Sequence, residues 1–295
     1  MHDVKVGFLG FGEAAYHFAH GLTQNGLSGI IAYSRSGAKA PSGDPLRERA
    51  AEAGVDLLTT PRELCERSEL IFALTPGRAA LQALRSVRPY LSADHLYVDG
   101  STAAVEVMER GAALLEGKAA YVDAAIMDAV GLGGIGTCIV ASGPQAQRFA
   151  ALLKPYGADI TVVPGKAGAA TAMKLIRSVT MKGLAVVLIE ALEAAHRHGI
   201  MDAVAENMAA SMDERPFAQI IKRFVCGTAV HADRRVHEMT EALALLQSLG
   251  SSSRMTRATR SKLVEVRERG LRERFGGQEP DSIHPVIEAI VGANC

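Results

Sequence analysis

Short apolar runs alternate with amphipathic segments through the N-terminal half of the chain. The segments between the runs carry helix-start signals such as "TTPREL", where Thr60 is a candidate cap and Pro61 suits the first helical position. Strands that alternate with helices of this length indicate an α/β fold with a doubly wound, parallel sheet of the Rossmann type. The strand candidates are Val4–Leu9, Gly29–Tyr33, Leu70–Leu74, Leu96–Val98, Tyr121–Ala125 and Cys138–Ala141.

The sequence changes character after residue 165. Residues 167–199, "AGAATAMKLIRSVTMKGLAVVLIEALEAAHRHG", are rich in alanine and leucine, lack proline and end in glycine. This pattern predicts a helix of about thirty residues that stops at Gly199, far longer than the average of about 11–12. Further helical segments follow it. We therefore expect two domains, an α/β domain over residues 1–164 and an all-α domain over residues 165–295.

The stretch "VKVGFLGFGEAAYHFAHGL" combines an apolar strand, a glycine-rich turn and a helix start. Gly10 allows a tight turn, Gly12 lets the backbone approach a pyrophosphate, and Ala15 permits close helix–strand packing. The unpaired N–H groups at the helix start then bind the anion. The pattern predicts a dinucleotide site formed by Gly10, Phe11, Gly12, Glu13, Ala14 and Ala15.

The end of the second strand indicates which dinucleotide is bound. An acidic residue at this point binds the ribose 2′-hydroxyl of NAD, but the chain reads "IIAYSRSGAK". A guanidinium group flanked by two hydroxyls suits a 2′-phosphate. Ser34, Arg35 and Ser36 therefore predict that NADP(H) is preferred, with NAD(H) still possible.

At this point the chain resembles the β-hydroxyacid dehydrogenase superfamily, which includes 6-phosphogluconate dehydrogenase and 3-hydroxyisobutyrate dehydrogenase. The likeness covers most of the chain, and the C-terminal part resembles a less characterised subgroup with a divergent helical domain. The segments that carry it are "GFLGFGEAA", "ALTPG", "YVDGST", "YVDAAIMDAVGLGGIGT" and "GAATAMKLIRS". The resemblance implies that Leu74, Thr75 and Pro76 line the dinucleotide. It also implies that Asp99, Ser101 and Thr102 lie beside the nicotinamide and that Lys174 is the catalytic acid/base.

The chain departs from the family pattern at two places. The substrate loop of the family reads A-P-V-S-G-G, but the Ser-Gly-Gly part is here Met127, Asp128 and Ala129. The family asparagine four residues after the lysine is here Ser178. Asp128 is open to two interpretations, since it could pair with a nearby cation or recognise a hydroxyl or amino group of the substrate. We expect the substrate to contact Ser101, Thr102, Met127, Asp128, Ala129, Arg177, Ser178 and Lys182.

Three cations share one broad face of the predicted long helix. Lys174, Arg177 and Lys182 are separated by helical steps, and no Asp or Glu lies between residues 160 and 189. We expect an electropositive pocket wall in which Arg177 and Lys182 hold a carboxylate or phosphate. Neighbouring positive charge disfavours a further ammonium, so a neutral Lys174 amine suits proton transfer.

These features favour an NADP(H)-dependent oxidoreductase that transfers hydride to or from a hydroxyl/carbonyl carbon of a small acidic metabolite, such as a 3-hydroxyacid or a sugar acid. An alternative is an imine reductase on the same fold, which Asp128 favours and Lys174 disfavours. A second alternative is a dinucleotide-binding sensor whose catalysis has decayed.

Composition narrows the possible partners. The 32 basic and 32 acidic residues balance, which argues against nucleic-acid and membrane partners. The N-terminus lacks a signal-peptide pattern, and no apolar run reaches the ~20 residues of a membrane span. Four scattered cysteines indicate reduced thiols in a cytoplasmic protein.

Two further patterns concern metals and assembly. His196 and His198 are two residues apart on a helix and point to different faces, so no metal site is expected. The cluster from His231 to His237 is open to a substrate role, a solvent face or a dimer contact. A helix of about thirty residues is longer than one helical domain of this size would bury, which predicts a homodimer.

Overall fold

The computed structural model describes residues 4–37, 41 and 44–292. Its strands are β1 Val6–Leu9, β2 Ile31–Tyr33, β3 Asp56–Leu58, β4 Leu70–Ala73, β5 Leu96–Asp99, β6 Ala120–Ile126, β7 Ile139–Ser142 and β8 Ile160–Val162. Its α-helices are α1 Glu13–Gln24, α2 Pro45–Glu52, α3 Pro61–Arg67, α4 Ala80–Val87, α5 Val105–Leu115, α6 Val130–Gly133, α7 Ala146–Leu153, α8 Ala169–His198, α9 Met201–Asp213, α10 Phe217–Ser248, α11 Arg254–Glu268, α12 Leu271–Arg274 and α13 His284–Val291.

The described strands form one sheet in the order β3-β2-β1-β4-β5-β6-β7-β8. The first six strands along the chain are parallel, and their order is that of a Rossmann fold. The direction of winding changes between β1 and β4, so a crevice opens beyond the carboxyl ends of these strands, where ligands of such folds bind. The predicted fold class, a doubly wound α/β sheet followed by helices, is confirmed.

The expectation of a wholly parallel sheet is wrong for the last two strands. β7 pairs with β6 in the antiparallel direction, with Ile126 opposite Ile139 and Asp123 opposite Ser142. A parallel return requires a crossover of a dozen or more residues, usually with a helix. The connection, residues 127–138, only just reaches this length and contains the single-turn α6 and a short 3₁₀ turn in place of a helix that could cross the sheet, so the chain returns antiparallel.

Alternating side chains of the strands build two hydrophobic layers. Phe8 and Phe72 lie side by side in the register of β1 and β4 and pack with Phe18 of α1. Their neighbours Leu9 and Ile71 point to the other face, where they join Leu64 of α3 and residues of α4 and α5. Each fully buried side chain of this size contributes about 1.5–3 kcal/mol, so the sheet has a rigid core on both faces.

The predicted long helix is confirmed as α8, a helix of 30 residues that stops at Gly199, where φ is +83°. The chain separates into two compact units, residues 1–178 and 179–295. This division falls within α8, whereas the sequence places the boundary at 164/165, where the sheet ends. The first turn of α8 goes with the α/β unit because Ala170 is buried against Ala125 and Val140.

The second unit is helical. Its core contains Cys226, Ala229 and Ala232 of α10 packed with Val266 of α11 and Val286 of α13. α10 is interrupted at His231, whose φ and ψ of −111° and 18° are not helical. Within the described ranges, no helix combines the length and apolar character that a bilayer crossing requires.

Candidate active site

The glycine-rich turn after β1 has the geometry that its sequence predicts. Gly10 has φ +93°, and a Cβ atom there would lie 2.6 Å from the Leu74 carbonyl oxygen. Gly12 precedes α1, and a Cβ atom on it would meet nothing within 4 Å. Ala15, in the first turn of α1, is fully buried. The turn therefore excludes a side chain at Gly10 and leaves open space at Gly12, in front of the helix start.

A cavity of about 490 Å³ opens at this turn, within the range of about 300–1,000 Å³ usual for small-ligand sites. Three chain segments meet around it: the turn after β1, the end of β2 and the end of β4. It is lined by Leu9, Gly10, Phe11, Gly12, Tyr33, Ser34, Arg35, Ser36, Leu74, Thr75, Pro76, Ala79, Gln82, Ala83 and Ser86.

Sequence reasoning missed one wall of the cavity. Ala79, Gln82, Ala83 and Ser86 line it from the helical segment that follows β4. Their spacing of three, four and seven residues places them on one helical face. Small and polar residues at this spacing, directly after a strand that ends in the crevice, were a signal that could have identified the wall.

Four predicted cofactor residues do not line the cavity. Glu13 opens α1 and is exposed, and its carboxylate points toward Gly131, where a Cβ atom would lie 3.3 Å from Oε1. Ala14 is half-buried and Ala15 buried, and both pack against the core. Ser101 lies in the turn after β5.

The turn after β5 lies directly against the cavity-lining turn after β4. A Cβ atom on Gly100 would lie 2.7 Å from Leu74 Cδ2, and one on Gly77 would lie 3.1 Å from the Thr102 carbonyl oxygen. These close approaches place Thr102 beside the segment that contains Thr75 and Pro76.

Thr102 combines backbone strain with a contact to the predicted catalytic lysine. Among the described residues it is the one non-glycine residue with positive φ, at 52°, which is unfavourable for a β-branched side chain. Its Oγ1 accepts a hydrogen bond from Lys174 Nζ at 3.1 Å. Strained residues of this kind cluster at active sites and ligand clamps.

Asp99 supports this turn from inside the sheet. The side chain is only 1% exposed, and its Oδ1 accepts a 3.0 Å hydrogen bond from the Ser101 backbone N–H. Its Oδ2 accepts a 3.0 Å bond from the Tyr121 hydroxyl. Burial raises the pKa of Asp99, and the hydrogen bonds from Ser101 and Tyr121 oppose this effect. Asp99 therefore holds the turn after β5 through the backbone N–H of Ser101, from a buried position in the sheet.

A second buried carboxylate, Asp123 of β6, holds the start of α8. Its Oδ2 accepts hydrogen bonds from the backbone N–H groups of Gly168 and Thr171 at 2.9 and 3.0 Å. The Ser142 hydroxyl also donates to Oδ2, and the Thr171 hydroxyl donates to Oδ1 at 2.6 Å. Sequence reasoning assigned Asp123 no role, because its partners lie up to 48 residues away. An acid in the middle of the apolar run "YVDAAI" was the available signal.

The remaining predicted substrate residues have different environments. Arg177 donates to the Met127 carbonyl oxygen at 3.0 Å and to Asp128 Oδ1 at 3.3 Å, so its charge is paired with the acid whose role the sequence left open. Ala129 and Asp128 are exposed. Ser178 is half-buried at the end of the first unit, and Lys182 is exposed in the second. The sequence predicts a wall of three cations, and within it the charge of Arg177 is paired with Asp128.

Two polar atoms are available for a bound group. The hydroxyl oxygens of Thr75 and Ser101 are both buried; that of Thr75 makes no hydrogen bond within the described part of the chain, whereas the Ser101 hydroxyl lies close enough to the Asp99 carboxylate to oppose the rise in its pKa. Buried hydroxyls without a partner are costly, and a ligand that supplies one removes the penalty. Over the same residues, His, Cys, Asp and Glu side chains form no group of three with metal-binding proximity.

Two family models match separate parts of the chain. One, described as "NADP oxidoreductase coenzyme F420-dependent", matches residues 5–103. The other, described as "Domain of unknown function (DUF1932)", matches residues 195–266. The first match covers the glycine-rich turn and the strained turn, and the second lies within the helical unit.

Relatives without an assigned activity extend over nearly the whole chain. An uncharacterised 28.5 kDa protein of Methanothermus fervidus is 22% identical over 90% of this chain and 100% of its own length. The solved structure of a conserved protein of unknown function, described as similar to 3-hydroxyacid dehydrogenases, is 28% identical with a TM-score of 0.62. The alignment covers 92% of this chain and 99% of that one.

Solved enzymes share the fold at lower identity. An imine reductase from Myxococcus stipitatus, a variant in complex with NAD⁺, has a TM-score of 0.75 at 18% identity and covers 98% of this chain and 100% of that one. A reductive aminase from Aspergillus terreus, in complex with NADPH4, cyclohexanone and allyl amine, has a TM-score of 0.70 at 20% identity. It covers 97% and 99% of the two chains. At these identities the likeness shows a shared fold.

Proposed function

Because the chain belongs to the β-hydroxyacid dehydrogenase superfamily, in a subgroup with its own helical C-terminal domain, we propose that it is an NADP(H)-dependent oxidoreductase. Its substrate in this proposal is a small acidic metabolite that carries a hydroxyl or carbonyl group. The observation that carries the proposal is the hydrogen bond from Lys174 to the strained Thr102, beside the cavity of the glycine-rich turn.

The cavity residues fit a dinucleotide. The open space at Gly12 accommodates a pyrophosphate against the start of α1, and the buried Thr75 hydroxyl has a hydrogen bond to offer. Arg35 lines the cavity between two serines and would pair with a 2′-phosphate. Fold relatives solved with NAD⁺ and with NADPH4 are consistent with such a cofactor. The bound dinucleotide supplies or accepts the hydride.

The protein side chains supply the proton chemistry. Lys174 exchanges a proton with the reacting oxygen, which avoids a free alkoxide. The Thr102 hydroxyl holds the amine in one orientation, and Asp99 fixes the turn that carries Thr102. The Ser101 hydroxyl, buried beside the Asp99 carboxylate, would turn toward the same oxygen and donate to it.

The proposal is tested by a spectrophotometric screen of hydroxy acids, sugar acids and amino acids with NADP⁺ and with NAD⁺. We expect reduced nicotinamide to accumulate with at least one hydroxy or sugar acid, and faster with NADP⁺. Absence of turnover with every compound and both cofactors, in a protein that binds NADPH, would favour the sensor alternative.

The cofactor preference has its own test in Arg35→Ala. Loss of a guanidinium–phosphate pair should raise the KM for NADPH by about tenfold to a hundredfold, from roughly 1.5–3 kcal/mol for a charged hydrogen bond. The KM for NADH should change little. Arg62→Ala, which removes an exposed arginine paired with Glu66, is the control. Equal effects on the two cofactors would remove Arg35 from the phosphate site.

Imine reduction is the second candidate. Two observations favour it: imine-reducing enzymes share the fold, and Arg177 is paired with Asp128, which weakens the case for an anionic substrate. A screen of cyclic imines with NADPH separates the candidates. Imine reduction that survives in Lys174→Met would favour this second function, because the lysine is then not the proton donor.

We also propose a homodimer. Large apolar side chains of the second unit are exposed, among them Val179 at 75%, Ile189 at 64% and Phe217 at 51%. Exposed apolar patches of this kind mark protein–protein interfaces. Light scattering after size exclusion should give twice the monomer mass, and Val179→Lys with Ile189→Lys should reduce it. A stable, active wild-type monomer would contradict the proposal.

A further inference from the structure

We propose that Asp123 is a positioning residue that holds Lys174 in place through the first turn of α8. The importance of Lys174 for turnover rests on the proposed function, but its placement by Asp123 is a property of the fold. Asp123 lies in the fourth position of β6, is fully buried, and receives four hydrogen bonds.

The hydrogen bonds converge on the helix start. Gly168, immediately before α8, and Thr171, in its first turn, both donate backbone N–H groups to Asp123. Ser142 of β7 binds a third backbone N–H group, that of Ala170, which donates to Ser142 Oγ at 3.0 Å. The initial N–H groups of a helix have no partner within the helix. Here these three are directed into the sheet, which fixes both the position and the rotation of the first turn.

Lys174 follows Thr171 by three residues, one turn farther along the same helix. A small rotation of the first turn therefore moves the root of the lysine side chain. The far end of that side chain is fixed at Thr102, 3.1 Å from Nζ. Asp123 therefore fixes the position of the first turn of α8, and this turn sets where the Lys174 side chain begins.

The register of the sheet couples the two ends of this contact. Asp99 of β5 lies directly opposite Asp123 of β6. Asp99 holds the turn that carries Thr102, and Asp123 holds the helix that carries Lys174. Asp99 thus positions the acceptor, Thr102, and Asp123 positions the donor, Lys174, of the same hydrogen bond.

Glu190, a buried carboxylate of the second unit, offers a matched control. Glu190 is 6% exposed and receives the same kinds of bonds: the Ser252 hydroxyl, the N–H groups of Met255 and Thr256, and the Thr256 hydroxyl. It caps α11 in the second unit. Glu190 itself lies on α8, sixteen residues after Lys174, but the bonds that it accepts come from α11 and the turn before it. Removing Glu190 therefore takes an equivalent set of hydrogen bonds from the start of a helix without the lysine.

The placement is measured by the reactivity of Lys174 toward deuterated acetic anhydride, read peptide by peptide by mass spectrometry. The full chain is used without added ligand, and the rate is divided by that of Lys154, an exposed lysine of the first unit. Loss of a helix cap of about 1 kcal/mol increases the open fraction about fivefold. We expect the ratio to rise about fivefold in Asp123→Ala and by a smaller factor in Asp123→Asn and Ser142→Ala.

The control variant decides between positioning and general loosening. Glu190→Ala should lower the thermal midpoint as Asp123→Ala does and leave the Lys174 ratio unchanged. A folded Asp123→Ala protein with an unchanged ratio overturns the proposal, as does an equal rise in Glu190→Ala. If Asp123→Ala does not fold, an unchanged ratio in both Asp123→Asn and Ser142→Ala overturns it.

Turnover gives the second readout. With a compound that the screen identifies, Asp123→Asn should lower kcat and leave the KM for NADPH unchanged, because the cavity is formed by other elements. If the ratio rises but Lys174→Met keeps full turnover, the positioning stands and the assigned role of Lys174 fails. The two failures are therefore distinguishable.

Discussion

The starts of α8 and α11 are held by the same kinds of hydrogen bonds, but the two helices lead into different surroundings. In each, a buried carboxylate accepts bonds from two backbone N–H groups, a serine hydroxyl and a threonine hydroxyl. In each, a cation within the next turn donates to a threonine: Lys174 to Thr102 and Arg260 to Thr240.

The accepting threonines separate the two regions. Thr240 lies inside α10, where its hydroxyl also donates to the Val236 carbonyl oxygen in the usual helical way. Thr102 lies outside any helix or strand with φ of 52°. Such a conformation costs about 1–3 kcal/mol and persists only where surrounding structure imposes it. The same kind of hydrogen bond thus only stabilises helix packing at Thr240. At Thr102 it is combined with backbone strain, in the region that we assign to catalysis.

The largest expected difference is in turnover. Lys174→Met should lower kcat by a factor of about 100 or more with a substrate found by the screen, because it removes the proposed general acid/base. Arg260→Met, the equivalent change near the start of α11, should leave kcat within a factor of about two, because Arg260 donates to Thr240 of α10 and to no residue of the proposed site. Steady-state kinetics on both variants measure this, and similar losses would abolish the distinction between the regions.

An intermediate effect concerns the pH dependence of the α11 cap. Burial, the largest single influence, raises the pKa of Glu190, but hydrogen bonds from Thr256, Met255 and Ser252 outweigh it, and the pKa lies below its ordinary value of 4.5. A lowered pKa stabilises the folded state above the unfolded pKa, and this contribution is lost as pH falls through the folded pKa.

Glu190→Gln should therefore lower the free energy of unfolding by about 1–3 kcal/mol at pH 7. The difference from wild type should shrink as pH falls below 4.5. Urea unfolding monitored by helical circular dichroism at several pH values measures it. A difference that is constant from pH 7 to pH 3 would show that the charge on Glu190 does not contribute.

The smallest effect concerns glycine substitutions at the two threonines. Thr102→Gly removes the positive-φ penalty of about 1–2 kcal/mol, which offsets the lost hydrogen bond from Lys174 and the greater freedom of glycine in the unfolded chain. The thermal midpoint should therefore stay within a few degrees of wild type. Thr240→Gly places glycine inside a helix and should lower the midpoint, since glycine is among the poorest helix formers. Calorimetry on both variants measures the shifts. A fall for Thr102→Gly as large as that for Thr240→Gly would contradict the assignment of strain to Thr102.

The sequence predicts the fold well because most of its signals are local. The glycine-rich turn, the cap at Thr60 and the long α8 follow from neighbouring residues, and Thr60 does accept the Glu63 N–H. The strands that were missed, β3 and β8, are the two edges of the sheet and have three residues each. Edge strands pair on one side only and are partly exposed, so they lack the long apolar run of a central strand.

The site is less predictable from sequence because its key contacts join distant residues. The pairing of Arg177 with Asp128 spans 49 positions, and the hydrogen bond from Lys174 to Thr102 spans 72. Neither contact produces a periodic pattern in the sequence. The positive φ of Thr102 is invisible for a second reason: threonine is not a residue type that signals such a conformation.

The reversal of β7 has a consequence for protein engineering. The connection between β6 and β7 is closed by the pair Ile126 and Ile139, three register positions away from Asp123 and Ser142. Residues 131–133 and 136 are exposed, so they can be diversified while both acceptors at the start of α8 keep their places, provided that Val130 and Ile135 keep their packing against the core. A library at these exposed positions should retain a high fraction of folded members, and it would vary the chain beside Asp128 without changing the proposed catalytic lysine.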